Sequence, residues 1–269
     1  MNYIIGSGFW SSDVDEQVTN PERKIIGDNL IRKPEFFPIW LNSIRKCSNP
    51  NRIVIVDSHS PIKPDFKDAK DVVWIELPIN AKHATNHIGT WSGWTRSVIL
   101  SGQYALNAEV DYFVYIEQDC LLSGAGIVEY CIEHMKKGLM FGDGKDTPQP
   151  IQQSFFIIEK RQLAKFLYNL CSLSIADRYL SPEWKFIIST WTPIRIAANL
   201  GFLNRPATRR LICRLMSSRS YDNLPVGCGR ARPIPWKDRF FYFQHGTSDE
   251  IEYYFRHTAS EGRGLSGNL

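Results

Sequence analysis

The chain lacks most of the signals that would make it something other than a folded α/β domain. It has no internal repeat and no low-complexity segment, which excludes solenoids, propellers and fibrous arrays. Its longest apolar runs fall well short of the ~20 residues that a membrane span needs. The first residues, Met1-Asn2-Tyr3-Ile4-Ile5-Gly6, have no basic start and too short an apolar run for a secretory leader. Of six cysteines in 269 residues, none form a C-x-x-C pair and none have zinc-site spacing with histidine. Dispersed thiols of this kind belong to a reducing compartment, so a cytoplasmic protein is expected. The formal net charge is only +4. That suits a small anionic ligand and gives no reason to expect a nucleic-acid partner.

What is present is a large core. Hydrophobic residues make up 43% of the chain and aromatic residues 13%, enough for one sizeable domain. Tyr3-Ile4-Ile5 is a short apolar strand, followed at once by Gly6-Ser7-Gly8 and Phe9-Trp10. Residues 11–34 are polar, carry Pro21, Gly27 and Pro34, and read as a loop. Phe37, Trp40, Leu41 and Ile44 recur at helical spacing over 36–47. The β-branched run 52–57 and the run 72–77 are strands, 94–106 is a helix, and 112–116 is a fourth strand. The second half continues with a helix over 125–136, strands at 139–141 and 154–158, and a helix over 161–173. Alternation of this kind predicts a mostly parallel sheet covered by helices.

In such sheets ligands sit at the carboxyl ends of the strands. Asp57, Glu76 and the run Glu117-Gln118-Asp119 all end strands. Asp57 is equally suited to making a turn and to holding a ligand. Glu117 and Asp119, one residue apart, offer hard oxygen ligands to Mn²⁺ or Mg²⁺. The plain alternative is a turn leading into a helix at Leu121-Leu122.

The ordered stretch tips this balance. Asn86-His87-Ile88-Gly89, then Trp94-Thr95-Arg96-Ser97, a helix, and the strand Tyr112–Ile116 running into Glu117-Gln118-Asp119 together resemble the nucleotide-binding core of GT-A glycosyltransferases, especially family 2. The likeness covers about residues 50–165. It implies a GT-A-like, mostly parallel sheet flanked by helices in a single domain over 1–269. A Rossmann-like nucleotide-sugar-binding half (1–122) would precede an acceptor-binding half (123–269). The implied activity is transfer of a sugar from a nucleoside-diphosphate donor to a glycan or lipid-linked acceptor.

Carried onto this chain, the resemblance puts Asp57 against the base or ribose and Arg96 on the nucleotide, with Gly8 and Gln118 beside them. It puts Glu117 and Asp119 on the metal and donor sugar, and Glu117 departs from the family's Asp at the first position. It places a catalytic base at Glu183, in Ser181-Pro182-Glu183-Trp184, with Asp177 as the nearby rival. Ser181 and Pro182 suit a helix start, where Glu183 would equally complement the helix dipole. A late histidine of the family's metal site corresponds to His245, and Arg230, Arg232, Lys237 and Arg239 are a basic cluster suited to the departing diphosphate. Arg205, Arg209, Arg210 and Arg214 among leucines make 203–219 a basic amphipathic segment, suited either to solvent or to peripheral contact with anionic lipid. Rival functions are a nucleotidyltransferase, for which Phe9-Trp10 after Gly6-Ser7-Gly8 makes a poor phosphate cradle, and a non-catalytic carbohydrate-binding protein.

Overall fold

The computed structural model describes residues 1–14, 26–65, 69–145, 147, 149–201, 208, 211 and 220–264, the last six by backbone only. Ten strands are found among them: β1 (Tyr3–Phe9), β2 (Arg52–Asp57), β3 (Val72–Glu76), β4 (Tyr112–Ile116), β5 (Cys120–Ser123), β6 (Leu139–Asp143), β7 (Ile151–Glu159), β8 (Asp222–Asn223), β9 (Gly227–Gly229) and β10 (Phe241–Gln244). The α-helices are α1 (Phe36–Cys47), α2 (Gly93–Asn107), α3 (Ile127–Glu133), α4 (Lys160–Cys171), α5 (Pro182–Ser189), α6 (Thr192–Asn199) and α7 (Ser248–Gly264).

Seven strands form one mixed, mostly parallel sheet in the order β3-β2-β1-β4-β7-β6-β8. β1 to β4 run parallel, and β7 pairs antiparallel with both β4 and β6. A second, three-stranded sheet has the order β5-β10-β9. Alternate residues of β2 supply opposite faces of the large sheet. Ile53 and Ile55 pack with Trp40 and Ile44 of α1 and with the small sheet. Val54 packs with Val98 of α2, Phe166 of α4 and Phe186 of α5. Burial on both faces explains why β2 reads as an unbroken apolar run.

Differences from the sequence reading have local causes. β1 runs on through Gly6, Ser7 and Gly8, because these positions lie against α2. A side chain at Gly8 would come within 2.5 Å of Ser97 Oγ. The predicted helix at 125–136 is confined to α3, since Gly126 is left-handed at φ 85°. The alternative of a turn leading into a helix at Leu121-Leu122 is not what forms: these residues lie in the strand β5, paired with β10. The segment 203–219, with Arg205, Arg209, Arg210 and Arg214, lies outside the described residues apart from Thr208 and Leu211.

Candidate active site

β1, β2 and β4 point their carboxyl ends to one edge of the sheet, and the β4–β5 turn, Glu117-Gln118-Asp119, stands on that edge. The antiparallel register of β10 with β5 sets Gln244 opposite Cys120, beside Asp119. Gln244 is buried, and its Nε2 donates to Glu117 and to Asp119 Oδ1, the latter at 3.1 Å. The next residue, His245, is left-handed at φ 56° and brings its Nε2 to 3.2 Å from Asp119 Oδ2. That conformation is uncommon for a residue with a side chain.

From the other side come Arg230 and Glu183. The Arg230 amide donates to Gln152 Oε1 at 2.6 Å, and its Nε donates to Gln244 Oε1 at 3.1 Å. One of its terminal nitrogens lies 4.0 Å from Glu183 Oε1. Glu183 sits in the first turn of α5, behind Ser181 and Pro182, and is 5% exposed. Burial pushes the Glu117 carboxyl up to about 8. Asp119 and Glu183 add to the rise, while Arg230 and the indole of Trp94 oppose it. Carboxylates from two distant parts of the chain thus share one cleft with one guanidinium.

The other residues singled out from sequence have different surroundings. Gln118 turns away and grips Trp10: its Oε1 accepts from the Trp10 amide at 2.6 Å, and its Nε2 donates to the Trp10 carbonyl at 2.9 Å. Asp57 is fully buried and accepts from the amide and hydroxyl of Ser60. Desolvation raises its carboxyl above the usual range, and the Ser60 bonds draw it back. Arg96 donates from Nε to the Trp91 carbonyl at 3.0 Å and from a terminal nitrogen to the Ile88 carbonyl at 2.8 Å, bracing the 88–91 loop.

Asp177 is fully engaged. It accepts from the Ser92 amide and the Thr95 hydroxyl, each at 2.7 Å, and pairs with Lys185 Nζ at 2.6 Å. Oδ2 is thus committed to two donors and Oδ1 to the ammonium of Lys185. Arg232 clamps Glu250 at the start of α7 and also binds the carbonyls of Gly229, Ala231 and Gln244. It organises the β9–β10 connection rather than facing the cleft. Lys237 is exposed on the loop before β10. Sequence reasoning misses Gln244 and Gln152. A polar residue closing the aromatic run Phe241-Tyr242-Phe243 is the one trace of Gln244 in the sequence, and its place beside Asp119 depends on a long-range strand pairing.

A divalent cation, implied by the GT-A resemblance, can be tested against these residues. Among the described residues no group of three or more His, Cys, Asp or Glu side chains is gathered to hold one. Mg²⁺ and Mn²⁺ in nucleotide sites commonly take one or two protein carboxylates and complete their shell with phosphate oxygens and water. Asp119 and His245 meet that smaller demand, and imidazole suits Mn²⁺. The carboxylate crowding around Glu117 is excess negative charge of the kind a cation neutralises. The residues fit a cation shared with a bound diphosphate.

No protein-family model matches the chain, and no curated protein matches it. Solved structures with some likeness include TarS 1–349 of S. aureus in complex with UDP, at 12% identity and TM-score 0.41, covering 71% of this chain and 54% of that one. The glycosyltransferase GlyE of Streptococcus pneumoniae TIGR4 is 8% identical with TM-score 0.40, covering 83% and 45%. The mannosyltransferase PcManGT of Pyrobaculum calidifontis, in complex with GDP-Man and Mn²⁺, is 8% identical with TM-score 0.41, covering 81% and 74%. The chain spans about half the length of the first two. Likeness at this level says nothing about chemistry, which rests on the residues themselves.

Proposed function

We propose that the chain is a nucleotide-sugar-dependent glycosyltransferase. It moves a sugar from a nucleoside-diphosphate donor to a hydroxyl of a glycan or lipid-linked acceptor, with inversion at the anomeric carbon. Residues 1–122 hold the donor and 123–269 the acceptor. The observation that carries this reading is the meeting of Glu183, from the start of α5, with Glu117, Asp119, Arg230 and His245 at the carboxyl edge of the parallel strands.

Each group has a task in that reaction. Glu183 accepts the proton of the acceptor hydroxyl as it attacks. Asp119 and His245 would hold Mn²⁺ or Mg²⁺, which would supply positive charge to the departing diphosphate. Arg230, fixed by Gln152 and Gln244, faces the same developing charge without having to reorganise. Glu117 lies beside Asp119, where the donor sugar or ribose would rest. Asp57 sits at the end of β2, where the base would lie, and Arg96 braces the loop that would cover the nucleotide.

A thermal-shift panel of UDP, GDP and TDP, each with and without Mn²⁺, tests the reading. Metal-dependent stabilisation by one nucleotide, lost in Asp119→Ala, is the expected result and names the base. Indifference to every nucleotide would sink the proposal. Glu183→Gln should keep nucleotide binding and lose turnover; full turnover in that variant removes Glu183 as the base.

A further inference from the structure

α5 carries Glu183 in its first turn, and no side-chain cap holds that turn. A capping residue usually fixes a helix start by accepting from one of its free amides. Ser181, at that position, gives its hydroxyl to Gln149 Oε1 instead, at 3.3 Å. The turn is anchored by Lys185. Lys185 lies two residues past Glu183, so the two side chains leave the helix in different directions. Glu183 turns to Arg230 in the cleft, whereas Lys185 is fully buried and reaches Asp177 Oδ1 at 2.6 Å.

Asp177 in turn grips the loop before α2. Its Oδ2 accepts from the Ser92 amide and the Thr95 hydroxyl, each at 2.7 Å, and its own amide donates to the Thr90 carbonyl at 3.1 Å. One residue on, the Arg178 amide donates to Nε2 of the buried His87 at 3.1 Å. Arg96 closes the same loop from within, through the carbonyls of Trp91 and Ile88. Residues 87–96 and 177–185 therefore form one hydrogen-bonded unit, with the loop at one end and Glu183 at the other. A buried ion pair stabilises a fold no better than apolar side chains of similar size do. What this pair adds is geometry, because charge-assisted hydrogen bonds are short and directional.

We infer that Asp177 and Lys185 are positioning residues: they tie the helical turn that bears Glu183 to the 87–96 loop, so that a nucleotide ordering the loop also orders Glu183. Neither residue touches the reacting atoms. The inference rests on the reading above, in which this loop covers the nucleotide.

Amide hydrogen exchange of the full chain, alone and with UDP, GDP or TDP plus Mn²⁺, tests this. The nucleotide that binds should slow exchange in the 87–96 loop and also, by about fivefold or more, in α5. Asp177→Asn combined with Lys185→Met replaces the pair by neutral side chains of similar size. That double variant should keep the protection of the loop and lose the protection of α5. Thr95→Val takes one hydroxyl from Asp177 and leaves the ion pair, so it should lose part of the α5 protection, whereas Thr95→Ser should keep all of it. If the double variant fails to fold, the two Thr95 variants decide. A pair with a merely structural role would change stability without separating the two segments. Protection of the loop without α5 in the wild type, or α5 protection undiminished in the variants, would overturn the inference and leave the nucleotide reading standing. Protection of neither segment by any of the three nucleotides would sink that reading and the inference with it.

Discussion

Asp177 is buried and Glu117 half-buried, and their surroundings treat the two carboxyl groups oppositely. Asp177 Oδ2 accepts from a backbone amide and a hydroxyl, and Oδ1 lies against the ammonium of Lys185, itself fully buried. Around Glu117 the only donors among the described residues are the Gln244 amide and the indole of Trp94, and the charged neighbours are two further acids, Asp119 and Glu183, with one guanidinium among them. The first cluster is closed and ties the start of α2 to the segment leading into α5. The second is electrostatically incomplete at the mouth of the sheet. Burial alone does not distinguish the two acids; the charge of their partners does. In sequence Asp177 and Glu183 look like candidates for the same role, because one precedes α5 and the other opens it.

Lys185 is where the contrast breaks most visibly. Desolvation lowers its ammonium below the usual lysine range, and Asp177 opposes that fall. Lys185→Met would leave the Asp177 carboxylate buried without its cation, a change that typically costs about 3–5 kcal/mol. Urea denaturation should show that loss, and a second substitution, Asp177→Asn, should restore part of it. If Lys185→Met unfolds at the wild-type midpoint, the closed character assigned to this cluster is wrong.

Asp119→Ala should behave in the reverse manner. Removing one of several crowded acids relieves repulsion, so the variant should melt no lower than wild type. Its turnover should fall by about 10²–10³-fold, the usual consequence of losing one electrostatic contact to developing charge. A variant that is unstable but active would show that this cluster too is structural.

Glu117 supplies a pH signature. Its folded-state value of about 8 lies above the ordinary 4.5. Between those values the folded chain keeps a proton that the unfolded chain has released, so stability falls as pH rises through the window. Below pH 4.5 the group contributes no penalty, and above about 8 the penalty is complete. Glu117→Gln should therefore melt higher than wild type at about pH 8.5 without divalent ions and converge with it near pH 4.5. Parallel melting curves across that range would remove the crowding argument.

Much of the sheet is legible in sequence because β2 and β4 are unbroken apolar runs between turn residues, and such runs are fixed by burial on both faces. The edge that carries the site follows from strand parallelism, which places Asp57 and Glu117 together from pattern alone. What is not legible depends on distant pairing. Nothing local shows that β10 lies antiparallel to β5, so Gln244 beside Asp119 escapes a sequence reading although His245, its neighbour, does not. Gly6-Ser7-Gly8 looks like the end of a strand, yet those residues are small because Ser97 and Ser101 of α2 press against them. Asp177 and Arg232 read as free charges only while their partners, Lys185 and Glu250, are unknown.

The smallest expected effects separate residues within the acidic turn itself. Gln118 stands between Glu117 and Asp119 in sequence but bonds the backbone of Trp10 in both directions. Gln118→Ala strands those groups and should lower stability by about 1–3 kcal/mol, while leaving nucleotide affinity close to wild type. Lys237, exposed on its loop, should change stability by less than about 0.5 kcal/mol when replaced by Ala. It should also leave the nucleotide response unaltered, whereas Arg230→Ala should weaken it. Nucleotide titrations on the three variants decide whether the positive charge that matters is the one held by Gln152 and Gln244. If Lys237→Ala weakens binding as much as Arg230→Ala, the diphosphate must approach from the loop side of β10, and Glu183 would lose its place opposite the leaving group.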